Sequence, residues 1–238
     1  MDKALLKTFA SNVGISLSSL QLDMFELYAS ELIRWNQKVN LTAIEDEEQI
    51  MIKHFYDSLL GMKVGAWSGI GALLDLGTGA GFPGLPLLIT NTGLQVTLVD
   101  SLQKRIAFLE HLVELLKLPA VKTIHARAEE VGQEQLYRER YDIVVSRAVA
   151  GLPVLLEYCL PLTKIGGIFI AYKGPEGSDE LSRAEKALKI LGGKIFEIKN
   201  FELPQDGGSR NIIVIRKSKS TPKGYPRRPG IPGKKPLE

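Results

Sequence analysis

Hydrophobic positions along this chain change their period near residue 66. Ahead of it, Leu20, Met24, Leu27, Tyr28, Leu32 and Trp35 recur at helical spacing. Ser18 and Gln21 stand three residues apart at the head of that run, the spacing of a capping box, so an amphipathic helix starts there. The segment 36–42 breaks the pattern. Asp46 then caps a second helix running through Ile50, Phe55 and Leu59, with Glu47 and Glu48 in the first turn, where the helix dipole favours acids. Lys53, His54 and Asp57 near its end read as structural hydrogen-bonding residues.

From Leu73 onward, apolar runs LLDLG, QVTLVD, VKTIHA, YDIVVSRA and GGIFIAYKG alternate with helical stretches. One such stretch, 104–117, carries Ile106, Leu109, Val113 and Leu116 on one face. Strands that alternate with helices predict a mostly parallel sheet joined by right-handed crossovers. The runs GKIFEIKNFEL and RNIIVIRK flank a turn-rich segment, 204–209, and read as a hairpin that ends the sheet with an antiparallel strand. The chain therefore divides into a helical N-terminal region (1–65), an α/β domain (66–217) and a tail (218–238). Five prolines, Pro222, Pro226, Pro229, Pro232 and Pro236, rule out a helix or central strand in the tail and predict an extended or disordered segment.

Composition adds two constraints. A hydrophobic content of 45% with 24% charged residues is that of an ordinary globular chain. The single cysteine, Cys159, cannot form an internal disulfide, lies among leucines as a core thiol, and fits a reducing cytoplasm. No signal peptide or membrane span is expected, because no uncharged apolar run approaches about 18 residues. Charge is uneven. From Arg216 to the C-terminus eight Lys/Arg face one acid, which leaves the rest of this +3 chain at −4. A basic tail on a mildly acidic body points to a polyanion, with nucleic acid the favoured partner.

The candidate chemistry begins at LLDLGTGAGFPG, residues 73–84. Gly77, Gly79 and Gly81 turn a short strand into a loop almost free of side chains, which lets a nucleotide-like ligand touch backbone above the strand's carboxyl end. Two cofactor classes fit. Gly79, Gly81 and Gly84 also read as the dinucleotide fingerprint, and either class expects an acid about 20 residues on, where Asp100 ends the second strand. Asp75 separates them: an acid just before the first glycine is the pattern of S-adenosylmethionine-dependent methyltransferases. In that setting Asp100 is placed to accept ribose hydroxyls, and the segment Arg127-Ala128-Glu129 after the third strand lies where adenine would be contacted.

The segment after the fourth strand, Ser146-Arg147-Ala148, narrows the acceptor. It lacks an Asn-Pro-Pro-aromatic motif for exocyclic amines, a Pro-Cys nucleophile, and the aspartate of a ribose 2′-oxygen set, for which Lys173 supplies only one lysine. A ring nitrogen with a free lone pair, such as N7 of guanine, fits these exclusions and needs no general base. Arg147 and Lys173 are then candidates to orient cofactor or RNA phosphate. No metal is expected.

The chain resembles the bacterial 16S ribosomal RNA guanine-N7 methyltransferase family, RsmG or GidB, over nearly its whole length. The resemblance rests on RWNQKVNLT (34–42), KHFYDSL (53–59), DLGTGAGFPGLPL (75–87), VDSLQKRIAFLE (99–110), RAEE (127–130), SRAVA (146–150) and RNIIVIRK (210–217). It implies a class I, Rossmann-like α/β methyltransferase domain behind a helical N-terminal region. It also implies S-adenosylmethionine as donor and guanine 527 of 16S ribosomal RNA, in the usual numbering, as acceptor. The implied partner is the small ribosomal subunit, with no membrane, a monomeric state and a cytoplasmic location. Cofactor contacts implied by the motifs are Gly77, Phe82, Ala128, Glu129 and Arg147; Gly79 belongs to the same loop, and Asp100 is added from fold geometry. The basic tail resembles that of Gram-positive members and is absent from shorter ones. Two rival readings stand beside this one, an NAD-dependent oxidoreductase and a non-catalytic, S-adenosylmethionine-regulated ribosome-assembly factor.

Overall fold

Strand β1 (Ala72–Leu76) is apolar toward both sides, with Leu73, Leu74 and Leu76 buried, as a parallel strand covered on each face requires. It lies in a seven-stranded sheet with β2 (Gln95–Asp100), β3 (Val121–His125), β4 (Tyr141–Arg147), β5 (Thr163–Lys173), β6 (Gly193–Leu203) and β7 (Gly208–Lys217). The order is β3-β2-β1-β4-β5-β7-β6. Strands β1 to β5 are parallel, and β7 runs antiparallel between β5 and β6, which closes the expected hairpin. The winding reverses between β1 and β4, so a crevice opens at the carboxyl ends of those two strands. The computed structural model describes residues 1–65, 67, 69, 71–178 and 180–238, with the backbone alone at 176 and 178. The division drawn at residue 66 falls outside them.

Helices α1 (Lys3–Asn12), α2 (Ser19–Val39), α3 (Glu47–Ile50), α4 (Asp57–Leu59), α5 (Gly84–Thr90) and α6 (Gln103–Leu115) cover one face. A π-helical turn, Met51–Tyr56, joins α3 to α4. Helices α7 (Ala128–Gln133), α8 (Leu152–Cys159), α9 (Glu180–Arg183) and α10 (Glu185–Leu191) cover the other. The start signals hold: the backbone N–H of Gln21 donates to Ser18 Oγ (3.3 Å), that of Ser18 donates to Gln21 Oε1 (2.9 Å), and that of Gln49 donates to Asp46 Oδ1 (2.9 Å). The buried face of α2 departs from the sequence reading at two positions, Leu20 (70% exposed) and Leu27 (38%), which face solvent. Tyr28 and Leu32 face inward as expected, with Met24 and Trp35 partly buried against the core, and they are joined there by Leu22, Phe25 and Ala29.

The N-terminal helices share a core with the sheet. Phe55 packs on Phe25 (ring centroids 4.9 Å apart), Tyr28 (5.2 Å) and Phe82 (5.9 Å), and Tyr28 Oη donates to the Ala80 carbonyl (2.5 Å). Tyr172 Oη on β5 donates to the Ser58 carbonyl (2.8 Å).

The tail corrects the sequence reading of an extended or disordered segment without helix more sharply, because it is docked on the body and contains a turn of helix. Lys217 is buried and donates to the carbonyls of Leu160 (2.6 Å) and Leu191 (3.2 Å). Arg138 donates to the carbonyls of Thr221, Pro222 and Tyr225 (2.8, 3.1 and 2.7 Å). A short turn of helix, α11 (Ile231–Lys234), follows, and Pro232 and Leu237 are buried. Proline offers a carbonyl and no N–H, so one guanidinium can satisfy several carbonyls in a segment that cannot join a sheet.

At the end of β1, Asp75 is fully buried, and its Oδ2 accepts from Thr78 Oγ1 (2.7 Å) and the Gly84 N–H (2.8 Å). Its Oδ1 has no partner among the described residues. Burial pushes this carboxyl from its ordinary 3.8 up to about 7, against the pull of those two hydrogen bonds.

Two tests follow from this packing. Phe55→Ala removes the aromatic that joins helices to sheet and should cost about 3–5 kcal/mol of stability in a single cooperative urea transition. Two separate transitions would show that the helices and the sheet fold independently. For Asp75, a raised folded pKa means stability that is full below about pH 4 and lost as pH rises through about 7. Asp75→Asn should therefore flatten the dependence of the urea midpoint on pH across that window; an unchanged slope would place the dependence elsewhere.

Candidate active site

Gly77, Gly79 and Gly81 all take positive φ (70°, 61° and 102°), a region costly for other residues. Their surroundings differ. A Cβ on Gly77 would collide with Val149 and one on Gly81 with Tyr28 Oη, whereas one on Gly79 would meet nothing within 4 Å. The loop is thus packed at its ends and bare in its middle. Over it lies a cleft of about 480 Å³ at the carboxyl ends of β1 and β4. A second pocket of about 230 Å³ opens beside it, and Gly77 lines both.

The fold brings the candidate residues to these two spaces. Gly77, Gly79, Phe82, Arg147 and Lys173 line the larger, and Gly77, Asp100, Ala128 and Glu129 line the smaller. Asp100 is buried at the tip of β2. Its Oδ2 accepts from the Gly79 N–H (2.9 Å) and Arg105 Nη1 (3.1 Å), and its Oδ1 accepts from the Leu102 N–H (2.9 Å). A carboxylate offers about four acceptor positions, so the chain's own groups fill three and one is left for a ligand hydroxyl. Glu129, also buried, accepts from Tyr158 Oη (3.2 Å) and the Gly230 N–H (2.9 Å), both through Oε1. Arg127, Ala128 and Glu129 together line the smaller pocket.

Sequence reasoning missed the far wall of the larger cleft. Arg147 Nη1 donates to Asp57 Oδ2 (2.9 Å) and to the Lys53 carbonyl (3.2 Å). Arg210 Nε stands 3.2 Å from Asp57 Oδ1, an ion pair whose angle misses hydrogen-bond geometry. The buried Asp57 thus bridges two strands, β4 and β7, to the N-terminal helices. His54 stacks on Phe82 (4.5 Å, 16°), which also stacks on Tyr28 (5.2 Å, 4°), and the Arg147 guanidinium sits 5.1 Å from the Phe82 ring. Lys53, His54 and Asp57 all border the cleft, while His54 and Asp57 also make the structural hydrogen bonds and ion pairs expected of them. A helix of mixed polarity gives no sign of which strand it will meet; only the quoted KHFYDSL pattern singled it out.

The charge states follow from burial. Desolvation, then the Arg147 charge, drops His54 to about 3, so its ring is neutral. With Nδ1 3.3 Å from Arg147 Nη2 and Nε2 2.9 Å from Thr42 Oγ1, only one tautomer satisfies both: Nδ1 accepts from the guanidinium and Nε2–H donates to the hydroxyl. Lys173 Nζ donates to the Ala150 carbonyl (2.8 Å) and pairs with Glu180 Oε2 (2.9 Å). Ala148, at the cleft mouth, has a positive φ of 56°, the kind of backbone strain that gathers at functional sites. Cys159 is buried and its thiol is pushed up by desolvation, so it offers no thiolate. Among the described residues no cluster of metal-ligating side chains occurs, and no helix is long and apolar enough to cross a membrane.

Comparison with known proteins agrees with this geometry. Solved structures similar in fold include a 16S rRNA (adenine(1408)-N(1))-methyltransferase from Catenulisporales acidiphilia (TM-score 0.52, 14% identity, 64% of this chain and 87% of that one). Another is a putative sarcosine dimethylglycine methyltransferase from Galdieria sulphuraria (TM-score 0.54, 13% identity, 74% and 89%). In sequence, the chain is 51% identical over 224 residues to the ribosomal RNA small subunit methyltransferase G of Halalkalibacterium halodurans, covering 94% of each. It is 52% identical over 235 residues to that of Acetivibrio thermocellus, covering 99% of this chain and 96% of the relative. The model of the family described as rRNA small subunit methyltransferase G matches residues 21–213. With half of all residues shared across nearly the full length and the family model matching residues 21–213, the chain belongs to the rRNA small subunit methyltransferase G (GidB) family.

Proposed function

We propose that this protein methylates N7 of a guanine in 16S ribosomal RNA, guanine 527 in the usual numbering, with S-adenosylmethionine as donor. The observation that carries the reading is the paired cleft, bare backbone at Gly79, two buried acids in the smaller pocket and cationic side chains around the larger. These residues fit the donor. Asp100 has one acceptor position for a ribose hydroxyl, Ala128 and Glu129 border the space for adenine, and Gly77, Gly79, Phe82 and Arg147 line the path toward the larger cleft. When bound, S-adenosylmethionine supplies an electrophilic methyl on a sulfonium centre.

The chain's own residues then hold, orient and shield. N7 of guanine has a lone pair and no proton to lose, so the site needs no general base. His54 is too weak a base for that role, with its pKa lowered to about 3 and its one lone pair, on Nδ1, facing the Arg147 guanidinium. Arg147 and Arg210 share the single carboxylate of Asp57, which leaves a net positive charge suited to an RNA phosphate at the mouth. Lys173, held by Glu180 and the Ala150 carbonyl, keeps its ammonium at the same rim. Alignment of acceptor and methyl with exclusion of water is where the rate comes from, a contribution that reaches about 7–11 kcal/mol at best.

The direct test is transfer of labelled methyl to unmodified small ribosomal subunits and to naked 16S ribosomal RNA, followed by digestion to nucleosides. Label should appear in 7-methylguanosine; label on a ribose, or none despite tight donor binding, would overturn the reading. Asp100→Ala should weaken donor binding by about 1–3 kcal/mol through the lost charged hydrogen bond, measured by calorimetry. Unchanged affinity would remove Asp100 from the site.

A further inference from the structure

The tail of residues 218–238 folds back onto the smaller pocket. Arg227 is its main anchor. The Arg227 backbone N–H and Nε donate to Glu157 Oε1 (2.8 and 2.9 Å), and Nη2 donates to Oε2 (2.6 Å). Glu157 on α8 has no exposed surface, so this buried carboxylate depends on a tail residue for its countercharge. Gln133 on α7 donates to the Pro226 carbonyl (2.6 Å), and Gly132 is so close to Pro226 that a Cβ there would lie 2.5 Å from the proline ring. The tail is therefore clamped to both helices that frame the pocket.

Its contact with the pocket is direct. The Gly230 N–H donates to Glu129 Oε1 (2.9 Å), and Gly230 itself lines the pocket together with Asp100, Ala128, Glu129 and Tyr158. Tyr158 adjoins Glu157 in sequence and donates to the same Glu129 oxygen (3.2 Å). One oxygen of Glu129 is thus fixed from two sides, and one side is the tail. Gly230 also has a positive φ of 80°, and a Cβ on it would meet nothing within 4 Å, so the tail presents bare backbone to open space.

We propose that the C-terminal tail is the outer wall of the adenosine end of the donor cleft. Gly230 is a positioning residue for Glu129, and tail docking sets donor affinity. The proposal rests on the donor-binding reading given above. It also separates two roles that the tail's charge would otherwise merge. Arg227 and Lys217 are spent on internal contacts, whereas Lys219, Lys223, Arg228, Lys234 and Lys235 are exposed. The exposed set is free to meet a polyanion while the docked set holds the pocket.

The test uses S-adenosylhomocysteine, which binds without turnover. Its affinity is measured by calorimetry for the full chain and for a chain ending at Thr221, which keeps the contact between Lys217 and Thr221. Coupling between two sites of this kind commonly amounts to about 5- to 150-fold, and a loss of that size is expected on truncation. Coupling is reciprocal, so in the full chain S-adenosylhomocysteine should slow amide hydrogen exchange across residues 225–235, an effect that a merely structural tail would not show. Should the truncated chain fail to fold, the exchange measurement decides alone. Unchanged or tighter binding by the folded truncated chain, or exchange in the tail indifferent to the ligand, overturns the proposal. A change confined to the salt dependence of RNA binding does the same and leaves the tail as an RNA arm. Failure of the full chain itself to bind S-adenosylhomocysteine removes the donor reading instead.

Discussion

The structure turns on how the chain leaves β1. The N–H groups of Gly77 and Thr78 still donate to the Val99 carbonyl of β2 (2.9 and 3.1 Å), and beyond them the loop is held by side chains. Asp75 closes the loop from beneath through Thr78 and Gly84, and Asp100 closes it from the side through Gly79. Tyr28 holds it from above at Ala80. With three positive-φ glycines between them, the loop can be bare at its centre and still fixed at its edges. Asp75, the residue that separates the methyltransferase pattern from the dinucleotide one, is thus a residue of loop shape. It touches the glycine turn and not the cleft.

A second constraint ties the N-terminal helices to the site. Asp57 is buried and needs countercharge; Arg147 and Arg210 supply it from two strands. That bridge places His54 and Lys53 on the cleft wall and lets Phe82 stack on residues of two different helices. The N-terminal region consequently forms one wall of the larger cleft. Its removal would unpair two arginines and expose the ring that anchors the glycine loop.

The fold was legible because its signals are local. The switch from helical spacing to alternating strands, the capping residues Ser18 and Asp46, and the turn before the last strand each specify their own element. The glycine loop and Asp100 were legible because a known spacing links them. What escaped was contact between distant segments. Nothing near Asp57 in sequence says that Arg147 and Arg210 will reach it, and nothing in a proline-rich tail says that a buried Glu157 awaits Arg227. Leu20 and Leu27 on α2 escaped for a related reason: they fit the helical period that Tyr28 and Leu32 obey, but the neighbours that set the edges of the buried face lie beyond the helix.

The most direct measurement is competition for the cleft. Radiolabelled S-adenosylmethionine bound to the protein without RNA should be displaced stoichiometrically by S-adenosylhomocysteine and left in place by NAD. Displacement by NAD at comparable concentration, or no saturable binding of S-adenosylmethionine, would contradict the assignment of the glycine loop, Asp100 and Glu129 to a methyl donor.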